Sequence, residues 1–175
     1  MTTMPQRSMT GLAIGLVLLG LIARLMPHPW NATPLAAIAL FAGTYLPKRW
    51  AMLLPLAIVA ASDVVRGWHS TIPFTWGAFA LIGMLGWWVR QNAGAGRIVG
   101  GTLAGSVLFF VLTNFGVWAV GELYPRTLAG LWECYAAAVP FFRGTLMGDA
   151  LYATALFGTY ALANRPQAAR QHAGG

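Results

Sequence analysis

The chain has 175 residues, of which 58% are hydrophobic and 9% are charged, with a mean hydropathy of +0.64. A water-soluble domain carries about 25% charged residues, so this composition excludes an ordinary soluble globule and predicts a polypeptide dissolved in lipid. The net charge of +7 does not point to nucleic acid, because the closest basic pair is Lys48–Arg49 and the other cations are dispersed. They read instead as topogenic charge that sets orientation across a bilayer.

Six apolar segments follow in chain order: Met9–Met26, Pro34–Leu46, Trp50–Val65, Ile72–Val89, Ile98–Val120, and a stretch from near Ala136 to near Leu162. Turn and breaker residues bound them: Pro27 and Pro29, Pro47, Gly67, Gly94 and Gly96, Pro125, and Pro166. The runs are continuously apolar rather than alternating, which argues for helices over strands. The first follows the basic Arg7 as a secretory leader would. It has no clear small-residue cleavage site, and five apolar segments come after it, so it reads as a retained helix. The second is only 13 residues long, about 20 Å of helix against a ~30 Å hydrocarbon core; it must borrow flanking residues or be a partial span held by its neighbours. The fold expected is an all-α polytopic membrane protein, a six-transmembrane-helix bundle over residues 1–163, with a polar cytoplasmic tail at 164–175 that is disordered.

With the N-terminus inside, the inner side holds Arg7, Lys48, Arg49, Arg90, Arg97, Arg165 and Arg170, and the outer side Arg24, Arg66, Arg126 and Arg143. That asymmetry favours N-in and C-in for a multi-pass arrangement. Trp50, Trp87 and Trp88 then lie at the inner interface. Trp30, Trp68, Trp76, Trp118 and Trp132 lie at or near the outer one. The unusual polar residues collect on three outer loops: Pro27–Thr33, Arg66–Thr71, and the longest, Gly121–Tyr135.

Two acids sit within the apolar segments. Asp63 lies near the outer end of the third, one turn before Arg66; it forms either a polar wall of a ligand cavity or a helix-end salt bridge with Arg66. Asp149 is midway along the sixth, with Asn114 and Arg24 as candidate partners. It is either a buried structural pair or a ligand or proton site, since an ionisable group in a span needs a partner or water. Asn114, beside Thr113, interrupts an apolar run and is suited to an interhelical hydrogen bond. His28 and His69 are candidate nitrogen ligands for a metal, without a supporting ligand spacing. Cys134, the one cysteine, excludes an internal disulfide; beside Glu133 it reads as a packing residue. Gly11 and Gly15 form a Gly-x-x-x-Gly pair that lets another helix approach, within the bundle or from a partner. No phosphate-binding loop, nucleophile elbow or zinc-protease motif is present, and the acids form no close pair, so nothing reads as an enzyme and the chain is not its own ATPase.

The run Arg24–Pro34, Ser62–Asp63 followed by Gly67–Ser70, Thr113–Trp118, Leu123–Gly130 and Pro140–Asp149 together resemble a family of small bacterial membrane proteins. That family is related to the substrate-binding S components of energy-coupling-factor (ECF) vitamin transporters. The resemblance covers about Arg24–Gly158, and its functionally described members are the BtuM-like solitary S components linked to cobalamin uptake. It implies a six-helix bundle whose pocket opens outward and is closed by the loops after helices one, three and five. It implies no required cofactor, a vitamin-like substrate with cobalamin or another corrinoid as the leading guess, and an ECF coupling subunit with ATPases as a partner docking at Gly11 and Gly15. The ligand-binding residues expected are His28, Trp30, Asn31, Asp63, Trp68, His69, Trp76, Asn114, Tyr124, Arg143 and Asp149. The BtuM-like proteins place a cobalt-binding cysteine near the outer end of helix four. This chain has Thr75–Ala80 there, leaving His28, His69 or Cys134 as cobalt-ligand candidates. Two other readings stand beside uptake: an ion- or proton-coupled carrier using Asp149, and a structural or assembly membrane protein.

Overall fold

The computed structural model describes the backbone of residues 6–26 and 33–172. Among these residues there are six helices and no strand: α1 (Gln6–Leu25), α2 (Leu35–Tyr45), α3 (Lys48–Arg66), α4 (Ile72–Arg90), α5 (Ala95–Val120) and α6 (Leu128–His172). The apolar segments became helices in place, so the all-α class is established. Two helices, α4 and α5, are long and apolar enough to cross a membrane; Thr10–Leu25 and Leu35–Tyr45 are shorter apolar helices.

The short α2 is the axis of the molecule. It touches all five other helices, and α1, α3, α4, α5 and α6 follow one another around it, with α1 and α6 not packed together. Every residue from Leu35 to Thr44 is buried. A helix that is apolar all round is a buried helix, which accounts for its length: α2 meets protein, not lipid, over its whole surface. Glycines let its neighbours approach. A methyl group on Gly43 would lie 2.1 Å from the Gly83 carbonyl oxygen, and one on Gly83 would lie 2.1 Å from that of Ala51, so α4 receives both α2 and α3 at backbone contact. Phe41 anchors α6 to the axis, edge-on to Phe157 and Tyr160 at 5.2 and 5.6 Å.

Outward faces are apolar. On α5 the exposed residues Val99, Leu103, Val107, Val111 and Phe115 recur every four positions, while its buried side carries Gly101, Gly105 and Ser106. Ile14, Leu18 and Ile22 do the same on α1, and Met147 and Leu151 on α6. A continuous apolar exterior of this extent marks a surface not meant for water.

Two boundaries differ from the expectation. The sixth helix begins at Leu128, not near Ala136, so the connection between α5 and α6 is only residues 121–127. Thr127 accepts the Gly130 N–H through its hydroxyl at 3.1 Å and starts the helix as an N-cap. The Cys134 thiol and the Tyr135 hydroxyl then tie this first part to α5, donating to the carbonyls of Asn114 and Val111. At the other end the helix continues past Leu162 to His172, so residues 164–172 are helical rather than an irregular tail. Alanine and arginine make up six of the ten residues Ala161–Arg170 and are good helix formers, and Pro166 does not end the helix as expected.

Candidate functional site

α1 and α3 run in the same direction and their C-terminal ends lie level, which brings the last turn of one against the last turn of the other. Arg24, in the last turn of α1, forms an ion pair with Asp63, its Nη2 donating to Oδ1 at 2.7 Å. The indole N–H of Trp76, near the start of α4, donates to the other carboxylate oxygen at 2.9 Å. Arg24 Nε donates to the Ser62 hydroxyl, which in turn donates to the Val59 carbonyl at 2.9 Å. Arg66 reaches back to the Arg24 carbonyl at 3.0 Å, closing the end of α1 where a cation complements the helix dipole. Gly67, with φ +97°, stops α3 just beyond; only a residue without Cβ takes that conformation freely. Asp63 and Ser62 are fully buried and the Arg24 side chain is 13% exposed. Both carboxylate oxygens therefore have donors, and three helices are held together at one end of the bundle.

The pairing corrects two sequence expectations. Arg66 is not the partner of Asp63, and Arg24 is not the partner of Asp149. Helix polarity decides both: the level ends of α1 and α3 put Arg24 beside Asp63, while Arg66 extends past it to the carbonyl end of α1.

Asp149 is buried and touches neither of its expected partners. Its Oδ2 lies 2.6 Å from the Ser106 hydroxyl, which also lies 3.1 Å from the Thr102 carbonyl of its own helix. Asp149 borders a narrow slit between α2, α4, α5 and α6, lined also by Ala36, Ala37, Ile82, Gly101 and Gly105. Sequence reasoning missed Ser106. The signal was present as Gly101-x-x-x-Gly105 immediately before it, a small-residue face that seats α5 against the axis. Asn114 lies two turns further along α5 and donates to the Phe110 carbonyl of its own helix at 2.8 Å. It borders a groove of about 150 Å³ between α5 and α6, shared with Thr113, Phe109, Phe141, Phe142 and Thr145.

The remaining expected residues do not converge in one place. Trp68 is 73% exposed. His69 is exposed, with its Nδ1 2.9 Å from the Thr71 hydroxyl. Tyr124 is half-buried in the α5–α6 connection and Arg143 stands exposed on α6. His28, Trp30 and Asn31 lie outside the described residues. Cys134 is buried with its thiol on the Asn114 carbonyl at 3.4 Å. Among the described residues no group of three or more His, Cys, Asp or Glu side chains is placed to hold a metal ion. Gly11 and Gly15 face open space on α1; Gly20 is the glycine of that helix that packs inward, against Ile58.

The sequence profile of a family described as a family of unknown function, DUF6580, matches residues 5–171. The chain belongs to this family. Both the acid–arginine–tryptophan cluster and the Ser106–Asp149 pair fall inside the matched region. No curated protein and no solved structure matches the chain.

Proposed function

We propose that the chain is a multi-pass protein of the bacterial inner membrane, a six-span bundle of the S-component type. It captures a vitamin-like small molecule from the outer side, with cobalamin or another corrinoid as the leading candidate. The observation that carries this reading is the length of the axial helix. α2 and α3 share one turn at Leu46–Pro47, yet α2 has 11 residues and α3 has 19. At about 1.5 Å per residue the axis stops about 12 Å short of the end of its neighbour. The end of the bundle that the axial helix does not reach is the one where Arg24, Asp63 and Trp76 meet. A few placed polar groups against an apolar wall are the usual form of a small-molecule site. The first turn of α2, at the same end, has no side-chain cap, and the amino end of a helix favours an anionic or carbonyl group.

The corrinoid assignment rests on the resemblance to BtuM-like proteins. The engaged thiol of Cys134 leaves His28 and His69 as the nitrogen ligands for cobalt. Gly11 and Gly15, on an open face, suit the docking of an ECF coupling subunit that would bring the ATPases this chain lacks. The test is purification in mild detergent with native mass spectrometry and calorimetry against cobalamin and cobinamide. A retained corrinoid, or heat on adding one, is the expected result. A protein that carries no small molecule and gives no heat with any vitamin overturns the capture reading. A cysteine placed at position 69 in a Cys134→Ser background should react with a membrane-impermeant reagent on intact cells; reaction only in inverted vesicles reverses the orientation.

One observation favours a second reading. Asp149 is buried with a hydroxyl and, among the described residues, no ion-paired cation, as in carriers that move a proton or ion through an intramembrane acid. Uptake by the isolated chain in liposomes that follows a pH gradient and is lost in Asp149→Asn would favour it over capture.

A further inference from the structure

The opposite end of the bundle, where α2 turns into α3 and α4 into α5, carries Lys48, Arg49, Arg90 and Arg97. The chain's four acids are Asp63, Glu122, Glu133 and Asp149, and none lies on these turns. Arg90 is committed to the fold: it donates to the carbonyls of Thr44 and Leu46 and closes the end of α2. The other three cations each lie against an indole. Lys48 Nζ is 5.7 Å from the Trp87 ring centre, Arg49 is 5.9 Å from Trp50, and Arg97 is 5.1 Å from Trp88. Arg97 is also fixed by donating to the Trp88 carbonyl at 3.1 Å.

Their position on the helices is unusual. Lys48 and Arg49 occupy the first turn of α3, and Arg97 the first turn of α5; neither turn has an acidic residue or a side-chain cap. The amino end of a helix carries partial positive charge and prefers anions. Three cations set at two such ends form a positive rim that, among the described residues, no acidic side chain neutralises. Trp50 and Trp88 beside them are 40% and 43% exposed, and the indole N–H of Trp87 is buried without a partner. An amphipathic ring next to a cation suits the boundary between headgroup and acyl chain.

We propose that this rim binds the phosphates of anionic phospholipids, at Lys48 and Arg49 on α3 and at Arg97 on α5, with Trp50 and Trp88 against the glycerol and upper acyl chain. A lipid is favoured over an acidic protein because α3, α4 and α5 expose Trp50, Leu53, Trp88 and Val99 beside the cations, the exposed polar side chains of the α4–α5 turn being the uncharged Gln91 and Asn92. The inference rests on the membrane reading above, and the experiment separates the two. The full chain, stripped of lipid in neutral detergent, is offered equal phosphatidylglycerol and phosphatidylcholine, and adducts are counted by native mass spectrometry. The wild type should retain the anionic lipid in preference. Lys48→Gln, Arg49→Gln and Arg97→Gln should each weaken that preference by about fivefold, the strength of one basic side chain at an anionic surface. The charge-keeping variants Lys48→Arg, Arg49→Lys and Arg97→Lys should restore it, which guards against a folding defect. Equal retention of the two lipids, or an equal loss in the control Arg66→Gln/Arg126→Gln at the other end, overturns the proposal. Extraction of the wild type from membranes by alkaline carbonate would instead overturn the membrane reading itself.

Discussion

Replacing Asp63 by asparagine tests whether the Arg24–Asp63–Trp76 cluster holds the bundle together or waits for a ligand. Asparagine keeps an oxygen for the Trp76 N–H, so that bond at 2.9 Å survives. What is lost is the charge-assisted bond from Arg24 at 2.7 Å and the counter-charge of a guanidinium that is only 13% exposed. A hydrogen bond to a charged group contributes about 1.5–3 kcal/mol, and breaking one side of a buried pair costs about 3–5 kcal/mol. Because Arg24 retains some solvent, Asp63→Asn should cost about 3 kcal/mol. Arg24→Gln should cost a similar amount, since it strands the buried carboxylate. The double variant should cost little more than either single one, leaving a coupling energy of about 2 kcal/mol. Unfolding in detergent, followed by circular dichroism, supplies the four stabilities of the cycle. Single-variant losses that add to within about 0.5 kcal/mol would refute the pairing as a stabilising contact. So would an Asp63→Asn protein as stable as the wild type.

The glycine contacts make a sharper contrast within one residue type. Gly43→Ala places a methyl 2.1 Å from a backbone oxygen in the most buried helix, so it should lose about 1–3 kcal/mol, or more, by overpacking. Gly11→Ala and Gly15→Ala meet nothing within 4 Å and should leave the isolated chain as stable as before or slightly more so, as helix propensity predicts; a large loss would mean that α1 packs differently. Ser106→Ala removes the hydroxyl at 2.6 Å from Asp149 and should cost about 1–3 kcal/mol, the penalty of a buried polar group left without its partner. Adding Asp149→Leu to Ser106→Ala should recover part of that loss, and no recovery in the same unfolding assay would place the role of Asp149 elsewhere.

The extent of the middle elements was legible because outward-facing and buried helices are both written in unbroken apolar runs. The second, third and fourth segments, Pro34–Leu46, Trp50–Val65 and Ile72–Val89, match α2, α3 and α4 to within two residues at each end. The sixth was misjudged at its start because Glu122, Pro125, Arg126 and Glu133 interrupt the apolar run there, and composition does not register that the Thr127 hydroxyl caps a helix. The candidate site was half legible. Asp63, Trp76 and Asp149 stand out as polar or amphipathic groups in apolar surroundings. Their pairings do not: the sequence offers Arg24 to Asp149 rather than to Asp63, and Ser106 is unremarkable until helices are placed side by side.

Composition and hydropathy alone determined that this chain is helical, because peptide groups away from water are satisfied only in helices or closed barrels, and unbroken apolar runs without alternation leave the helix. Only the packed structure decided that the shortest helix is the axis, that α1 and α3 end level, and that Arg24 therefore answers Asp63 while Ser106 answers Asp149. Such pairings depend on distances between residues about 40 positions apart, and those distances exist only once glycines such as Gly43 and Gly83 have set how closely the helices approach.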